Sequence, residues 1–288
     1  MKKAQDLAKD VATMETMGEL TSIFEGIASM KIARIKNQVL QSKDYFNKLW
    51  QIYTQIRVDS LFRFGRNLDN SNVIDKELFI IITAEGGFSG DIDQKLITWM
   101  LTQYSPEKQD IIVIGHHGAI QLAQRGISFK KYYKLPEKDK DINVAPIIRE
   151  VQGYKSSIVY YQTYVSLTIQ DIKRINLSSA IVEEGKKITA SEEVISDKTY
   201  IFEPSTFAVV DHLESSMLSI TLGQVILESK LAQYASRFRA MSAAHTKAED
   251  TIIETRSSYN RARRHFKDER LKEIVNGLRK ASQGVELV

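Results

Sequence analysis

The sequence predicts an α/β domain held between two long helices that pair as an antiparallel coiled coil. Three observations predict it. All four prolines, Pro106, Pro136, Pro146 and Pro204, fall in one central stretch, so the chain on either side can run as uninterrupted helix. A mostly apolar stripe returns about every 3.5 residues through Leu227, Leu231, Tyr234, Phe238, Met241, His245, Ala248, Ile252, Thr255, Tyr259, Ala262 and Phe266. Its alternating steps of four and three are those of a coiled-coil seam rather than of a globular surface helix. Between the helical ends lie short β-branched runs of the kind that form parallel strands covered on both faces.

The N-terminal helix is expected over residues 3–56. Leu7, Val11 and Met14 open its apolar stripe; Leu20, Phe24 and Ile27 continue it; Ile32, Ile35, Val39, Phe46, Leu49 and Trp50 complete it. Gly18 and Gly26 weaken this helix by roughly 1 kcal/mol each relative to Ala. Strands follow at Leu78-Phe-Ile-Ile-Ile-Thr83, Ile111-Ile-Val-Ile114 and Ser157-Ile-Val-Tyr-Tyr161, alternating with helical segments near residues 94–103 and 119–124. That alternation predicts a doubly wound, mainly parallel, Rossmann-like sheet domain. Residues 183–198 are polar and read as an exposed hairpin or loop turning at Gly185, and Tyr200-Ile-Phe202 as a last strand. Pro204 then bars the strand from continuing, and Ser205 or Thr206 offers an N-cap oxygen to the C-terminal helix. The predicted segments are a shaft helix at 1–58, the α/β domain at 75–204 and a second shaft helix at 205–288. A helix over residues 206–276 would be ~105 Å long at about 1.5 Å per residue. No domain of this size buries such a length, so the helix is expected to project and to need a partner protein.

Composition narrows the class. Forty basic and 36 acidic side chains give a net charge of only +4, too balanced to make nucleic acid the default partner. The surplus is localised: residues 237–280 hold twelve Lys and Arg against six Asp and Glu, which marks a basic surface for an acidic partner. The chain has no cysteine, hence neither disulfides nor thiolate chemistry. The charged residues 1–10 lack the apolar core of a signal peptide, and no uncharged apolar run approaches the ~20 residues that span a bilayer. No direct membrane insertion is expected.

Candidate chemistry is sparse. Glu85-Gly-Gly-Phe-Ser-Gly90 joins a strand to a helix, where a glycine-rich turn can cradle phosphate. The spacing matches neither dinucleotide nor P-loop fingerprints, and Asp91 and Asp93 would repel an anion, so a tight structural turn is the favoured reading. In Gly115-His-His-Gly118 the paired histidines lack neighbours in sequence to complete a metal set of three or four ligands, and a polar loop is favoured. His245 occupies a seam position and reads as a register-setting polar residue. Arg261-Ala-Arg-Arg-His265 is the densest basic cluster; it suits nucleic acid, a solvated face or the carboxylates of a surrounding protein. Neither a catalytic constellation nor a cofactor fingerprint stands out, so no catalytic, metal or cofactor residue is assigned.

Four stretches, in this order, resemble the gamma subunit of F-type ATP synthases, the central rotor stalk. Ile27-Ala-Ser-Met-Lys-Ile32 with Arg34 and Lys36 is similar to the family's N-terminal segment; Gly86-Gly-Phe-Ser-Gly90 to its Arg-Gly-Leu-Cys-Gly turn; Tyr200-Ile-Phe-Glu-Pro204 to its hinge into the C-terminal helix. Tyr259-Asn-Arg-Ala-Arg-Arg264 and Glu273-Ile-Val275 are similar to its Tyr-Asn-Lys-Ala-Arg-Gln and Glu-Ile-Val tip. The resemblance implies a non-catalytic shaft, without cofactor, whose rotation drives the catalytic sites of an alpha–beta hexamer in step with a membrane c-ring carrying protons or sodium. It implies contacts of Arg261, Arg263, Arg264 and Lys267 with the hexamer, and of Tyr200 and Glu203 with the c-ring and epsilon subunit. It also implies a shaft tip at Leu271, Ile274, Val275 and Leu278, and a peripheral location on the cytoplasmic face of the plasma membrane. The departures are Arg264 for the family's Gln, Ser89 for its Cys, Gly86 for its Arg and a charged 267–270 run, which mark a divergent, bacterial-type member. Three alternatives stay open on the residues alone: the shaft of a derived ATPase motor with another output, a nucleotide-binding α/β protein with a coiled-coil arm, and a coiled-coil nucleic-acid binder.

Overall fold

The computed structural model describes residues 4–55, 74–136, 142–177, 179–180, 203 and 205–285. The expected loop at 183–198 and strand at 200–202 lie outside them. Helix α1 is Ala4–Gln55 and helix α5 is Thr206–Val285. Between them run β1 (Ile74–Ile82), α2 (Ile92–Leu101), β2 (Gln109–Ile114), α3 (His116–Gln124), β3 (Lys131–Tyr133), α4 (Ala145–Gln152), β4 (Tyr154–Tyr164) and β5 (Gln170–Asn176). The chain divides into two compact units, one of Met1–Gly26 with Ala240–Val288 and one of Ile27–Arg239. Both long helices cross that division.

The larger unit holds the sheet, with strand order β3-β2-β1-β4-β5. β1 to β4 are mutually parallel and β5 runs antiparallel to β4. Period-two alternation builds two cores from the same strands. Leu78, Ile80 and Ile82 of β1, Ile112 and Ile114 of β2 and Val159 and Tyr161 of β4 face one side. There they meet Ile147, Ile148 and Val151 of α4, Phe46, Leu49 and Trp50 of α1 and Met217, Leu218, Leu222, Val225 and Ile226 of α5. Phe79, Ile81, Ile111, Val113 and Tyr160 face the other side, against Leu96, Ile97 and Met100 of α2 and Leu122 of α3. The doubly wound expectation therefore holds, and the long helices, with α4, form one of its two layers. Tyr53 of α1 donates a hydrogen bond to Glu214 of α5 at 3.3 Å, and burial beside that carboxylate pushes its phenol up to about 12.

Three elements were not anticipated. β3 has only three residues, and β5 carries Asp171, Lys173 and Arg174, so neither shows an apolar run. α4 begins at Ala145-Pro146, where proline suits the first helical turn, and buries Ile147, Ile148 and Val151. α3 opens on His116, so the two histidines lie in a first helical turn, not in a loop. The anticipated cap on α5 is present: the Ala208 amide donates to Ser205 Oγ at 3.2 Å.

The smaller unit is an antiparallel helix pair. On α5, Met241, His245, Ala248, Ile252, Thr255, Tyr259 and Ala262 are all buried or half-buried, as the 3.5-residue stripe predicts. On α1 the matching positions are Leu7, Val11, Met14, Gly18, Thr21 and Glu25. His245 Nδ1 donates to the Gly18 carbonyl at 3.0 Å, and Arg256 pairs with Glu15, so the helices run in opposite directions. Two expectations need correction. Leu20, Phe24 and Ile27 are 49%, 36% and 41% exposed and lie outside the seam, which is filled here by small and polar residues. Phe266 is 62% exposed, so the buried stripe ends at Ala262, one step earlier than expected.

Candidate functional site

In a doubly wound sheet the ligand crevice lies beyond the carboxyl ends of the strands where the order reverses. Here that point is between β1 and β4, and side chains of α5 occupy it. Ser229 and Gln233 hydrogen-bond to the side-chain oxygen of Gln162 at the end of β4, and Gln233 also donates to Ser229 Oγ at 3.0 Å. Gln162 Nε2 donates in turn to Asp93 of α2 at 2.6 Å. Gln162 and Ser229 are fully buried, Asp93 and Ser236 nearly so. This is a satisfied polar core, not an open pocket.

The glycine turn after β1 is filled in the same way. Arg237 of α5 donates to the carbonyls of Gly87 at 3.1 Å and Gly86 at 3.2 Å and to Ser89 Oγ at 3.3 Å. Ser236 Oγ donates to the Ser89 carbonyl at 2.7 Å. The turn presents carbonyl acceptors to a guanidinium, the reverse of the amide donors a phosphate requires. Phe88 and Gly90 both adopt positive φ, 67° and 66°, which bends the chain tightly into α2. The turn is thus structural, as the residues suggested, and it is a docking point for α5.

The histidine pair is explained by packing. At Gly115, with φ +101°, a Cβ would stand 2.0 Å from the Thr83 carbonyl oxygen, and one on Gly118 would stand 2.5 Å from Thr83 Oγ1. Both glycines let the start of α3 sit against the end of β1, where Thr83 Oγ1 accepts from the Gly118 amide at 2.9 Å. His117 Nδ1 lies 2.7 Å from Asp93 Oδ2. That hydrogen bond raises the imidazole above its ordinary value, opposed by its partial burial. The acid was invisible in sequence because it comes from α2, 24 positions away. Among the described residues no three His, Asp or Glu side chains gather as a metal set.

The distal part of α5 carries the other candidate surface. Arg261, Arg263, Arg264 and Lys267 are all exposed. Leu271, Ile274, Val275 and Leu278 are 58%, 52%, 46% and 66% exposed. At about 100° per residue, Arg264, Lys267, Leu271, Ile274, Val275 and Leu278 share one face roughly 100° wide. That face is rotated about 130° from the Ile252–Tyr259–Ala262 seam, so it is not a continuation of the coiled coil. A basic head is thus followed by an exposed apolar stripe on one helix face. Glu203 is exposed ahead of α5, and Tyr200 lies outside the described residues. Sequence reasoning missed the lock at the sheet, whose signal was Ser229, Gln233 and Ser236 spaced four and three along the helix next to Leu222, Val225 and Ile226.

A family model described as ATP synthase matches residues 3–279. An ATP synthase gamma chain of Chlorobaculum parvum is 25% identical over 293 residues, covering 96% of this chain and 98% of that protein. One from Clostridium novyi is 23% identical over 282 residues, covering 94% and 95%. Among solved structures, a chain of the Euglena gracilis mitochondrial ATP synthase, in a structure of OSCP, F1 and c-ring, superimposes with a TM-score of 0.65 at 15% identity, covering 99% of this chain and 97% of that one. A chain of the rotor of the same complex gives 0.60 at 15% identity, covering 91% and 99%. Matched from its first helix to the apolar face of its last, this chain belongs to the ATP synthase gamma family.

Proposed function

We propose that this chain is the rotating shaft of an F-type ATP synthase, turning with a membrane c-ring and imposing successive conformations on the catalytic sites of an alpha–beta hexamer. The observation that carries this reading is the exposed face from Arg264 to Leu278 on a helix whose coiled-coil seam has already ended at Ala262. A basic-then-apolar face that lies off the coiled-coil seam suits the lining of an enclosing ring. Arg261, Arg263, Arg264 and Lys267 supply cationic contacts to hexamer carboxylates, and Leu271, Ile274, Val275 and Leu278 bear on an apolar collar. Tyr200 and Glu203, at the entry to α5, serve the foot contact with epsilon and the c-ring. The chain contributes no catalytic group; it sets which state each site prefers by which face of the shaft that site touches. It associates with the cytoplasmic face of the plasma membrane through the complex. No helix among the described residues is long and apolar enough to cross a bilayer.

The test is charge reversal at the head of the face. Arg263→Glu with Arg264→Glu is expected to leave the isolated chain folded and to lower assembly with alpha and beta chains, or ATP-driven ion pumping by the complex, by roughly tenfold. Full assembly and full coupling by the doubly reversed chain would remove the proposed contact.

A further inference from the structure

We infer that the polar lock between α5 and the sheet edge fixes the rotational register of the shaft and carries torque between shaft and foot. This inference rests on the rotor reading and names the residues through which that rotor resists twisting.

Within the larger unit α5 makes two kinds of contact. Over Met217, Leu218, Leu222, Val225 and Ile226 it lays apolar side chains on the sheet, while just ahead of them Glu214 and Ser215 bond to Tyr53 of α1 and Gln152 of α4, not to the sheet. Such contacts are non-directional and resist rotation of a helix about its own axis only weakly. From Glu228 onward the character changes, and seven side chains within twelve residues make directional bonds. Thr163 donates to Glu228; Ser229 and Gln233 bond to Gln162; Lys230 donates to the Pro136 carbonyl at 3.3 Å. Ser236 and Arg237 hold the glycine turn, and Arg239 donates to the Thr168 carbonyl at 3.0 Å. The partners belong to four separate pieces of the domain: the end of β4, the loop after β3, the turn after β1 and the β4–β5 hairpin.

Their distribution around the helix matters most. At about 100° per residue, and measured from Gln233, Lys230 and Arg237 stand roughly 40–60° to one side, while Ser229 and Ser236 stand roughly 40–60° to the other. Glu228 and Arg239 lie about 120–140° round in that second sense. The bonds therefore embrace about 200° of the helix circumference. Turning α5 in either sense breaks bonds on one flank before any can form on the other. The buried centre adds a penalty, because Gln162, Ser229 and Gln233 would be left unsatisfied away from water. A structural anchor needs only apolar burial; a torque-bearing joint needs bonds on both flanks.

Two variants test this in the complex purified from its native membrane: Lys230→Met with Arg237→Met, which strips one flank but keeps side-chain length, and Arg237→Lys, which keeps a cationic donor. Copurification of alpha and beta chains with the wild-type chain is scored first, and its absence sinks the rotor reading itself. Given copurification, the double variant is expected to retain ATP hydrolysis while the ions pumped per ATP against a standing gradient fall roughly two-fold or more. Arg237→Lys should restore most of that ratio. An unchanged ratio in a folded, assembled double variant overturns the inference while leaving the rotor reading intact. If the double variant does not assemble, Arg239→Met, an exposed residue on the opposite flank, is read by the same ratio, and wild-type behaviour there overturns it.

Discussion

Thr83 shows how far a single residue organises this domain. Its hydroxyl, fully buried at the end of β1, accepts from the Gly118 amide and donates toward the carbonyls of Ile114 at 3.1 Å and Gly115 at 3.2 Å. Two glycines exist to let it do so. Gly115→Ala would place a Cβ against the Thr83 carbonyl at a φ that L residues rarely adopt, and a loss of ~3 kcal/mol or more is expected in urea unfolding. Gly126→Ala is the control: its φ is +70°, but no atom lies within 4 Å, so only the left-handed penalty of ~1 kcal/mol applies. Next to Thr83, the His117–Asp93 pair gives a pH prediction. The folded imidazole is raised above its ordinary 6.5, so its stabilisation is fully present below that value and is lost as pH rises through the raised one. The margin of wild type over His117→Asn should be larger at about pH 6 than at about pH 9, and an equal margin at both would disprove the coupling.

At the scale of elements, what could be read in the sequence followed from how one-sided each environment is. The β-branched runs at 78–82, 111–114 and 157–161 are buried on both faces, so their composition alone marked them as strands. The α5 seam was legible because its buried positions are mostly apolar. α1 misled because its buried positions from Gly18 to Glu25 are small or polar, while apolar Met17, Leu20 and Ile23 face outward at 49–58% exposure. β5 and β3 sit at the sheet edges, where charged side chains are tolerated and the apolar signal is lost. The lock at the sheet could not be read for a different reason: Asp93, Gln162 and Gln233 come together only when three elements fold. The corrected α1 seam makes its own prediction. A Cβ on Gly18 would meet His245 Nδ1 and Ala248 at ordinary contact distances of 3.9 and 4.0 Å, and one on Gly26 would meet nothing within 4 Å. Gly18→Ala and Gly26→Ala should therefore each stabilise the isolated chain by ~1 kcal/mol, seen as a higher urea midpoint at unchanged slope.

At the scale of the whole molecule, the chain keeps a domain architecture associated with ligand binding and uses it for attachment. The switch-point crevice and the glycine turn, the two places where such a fold binds a nucleotide, are both filled by α5. The surface proposed for its partners instead lies where the same helix has left its coiled-coil seam. This division of roles predicts the behaviour of the chain without partners. Four apolar side chains, 46–66% exposed on one helix face, are a liability in water, so the isolated protein should self-associate through its distal end. Ile274→Lys with Leu278→Lys should shift sedimentation toward monomer at equal concentration while leaving the helical circular dichroism unchanged, since both positions are exposed. The same pair should weaken assembly with alpha and beta chains by ~1–2 kcal/mol per residue, because each then brings a charge to an apolar collar. A chain that becomes monomeric yet assembles at full strength would place the partner surface elsewhere on the molecule, and would leave the cationic head at Arg261–Arg264 to carry recognition alone.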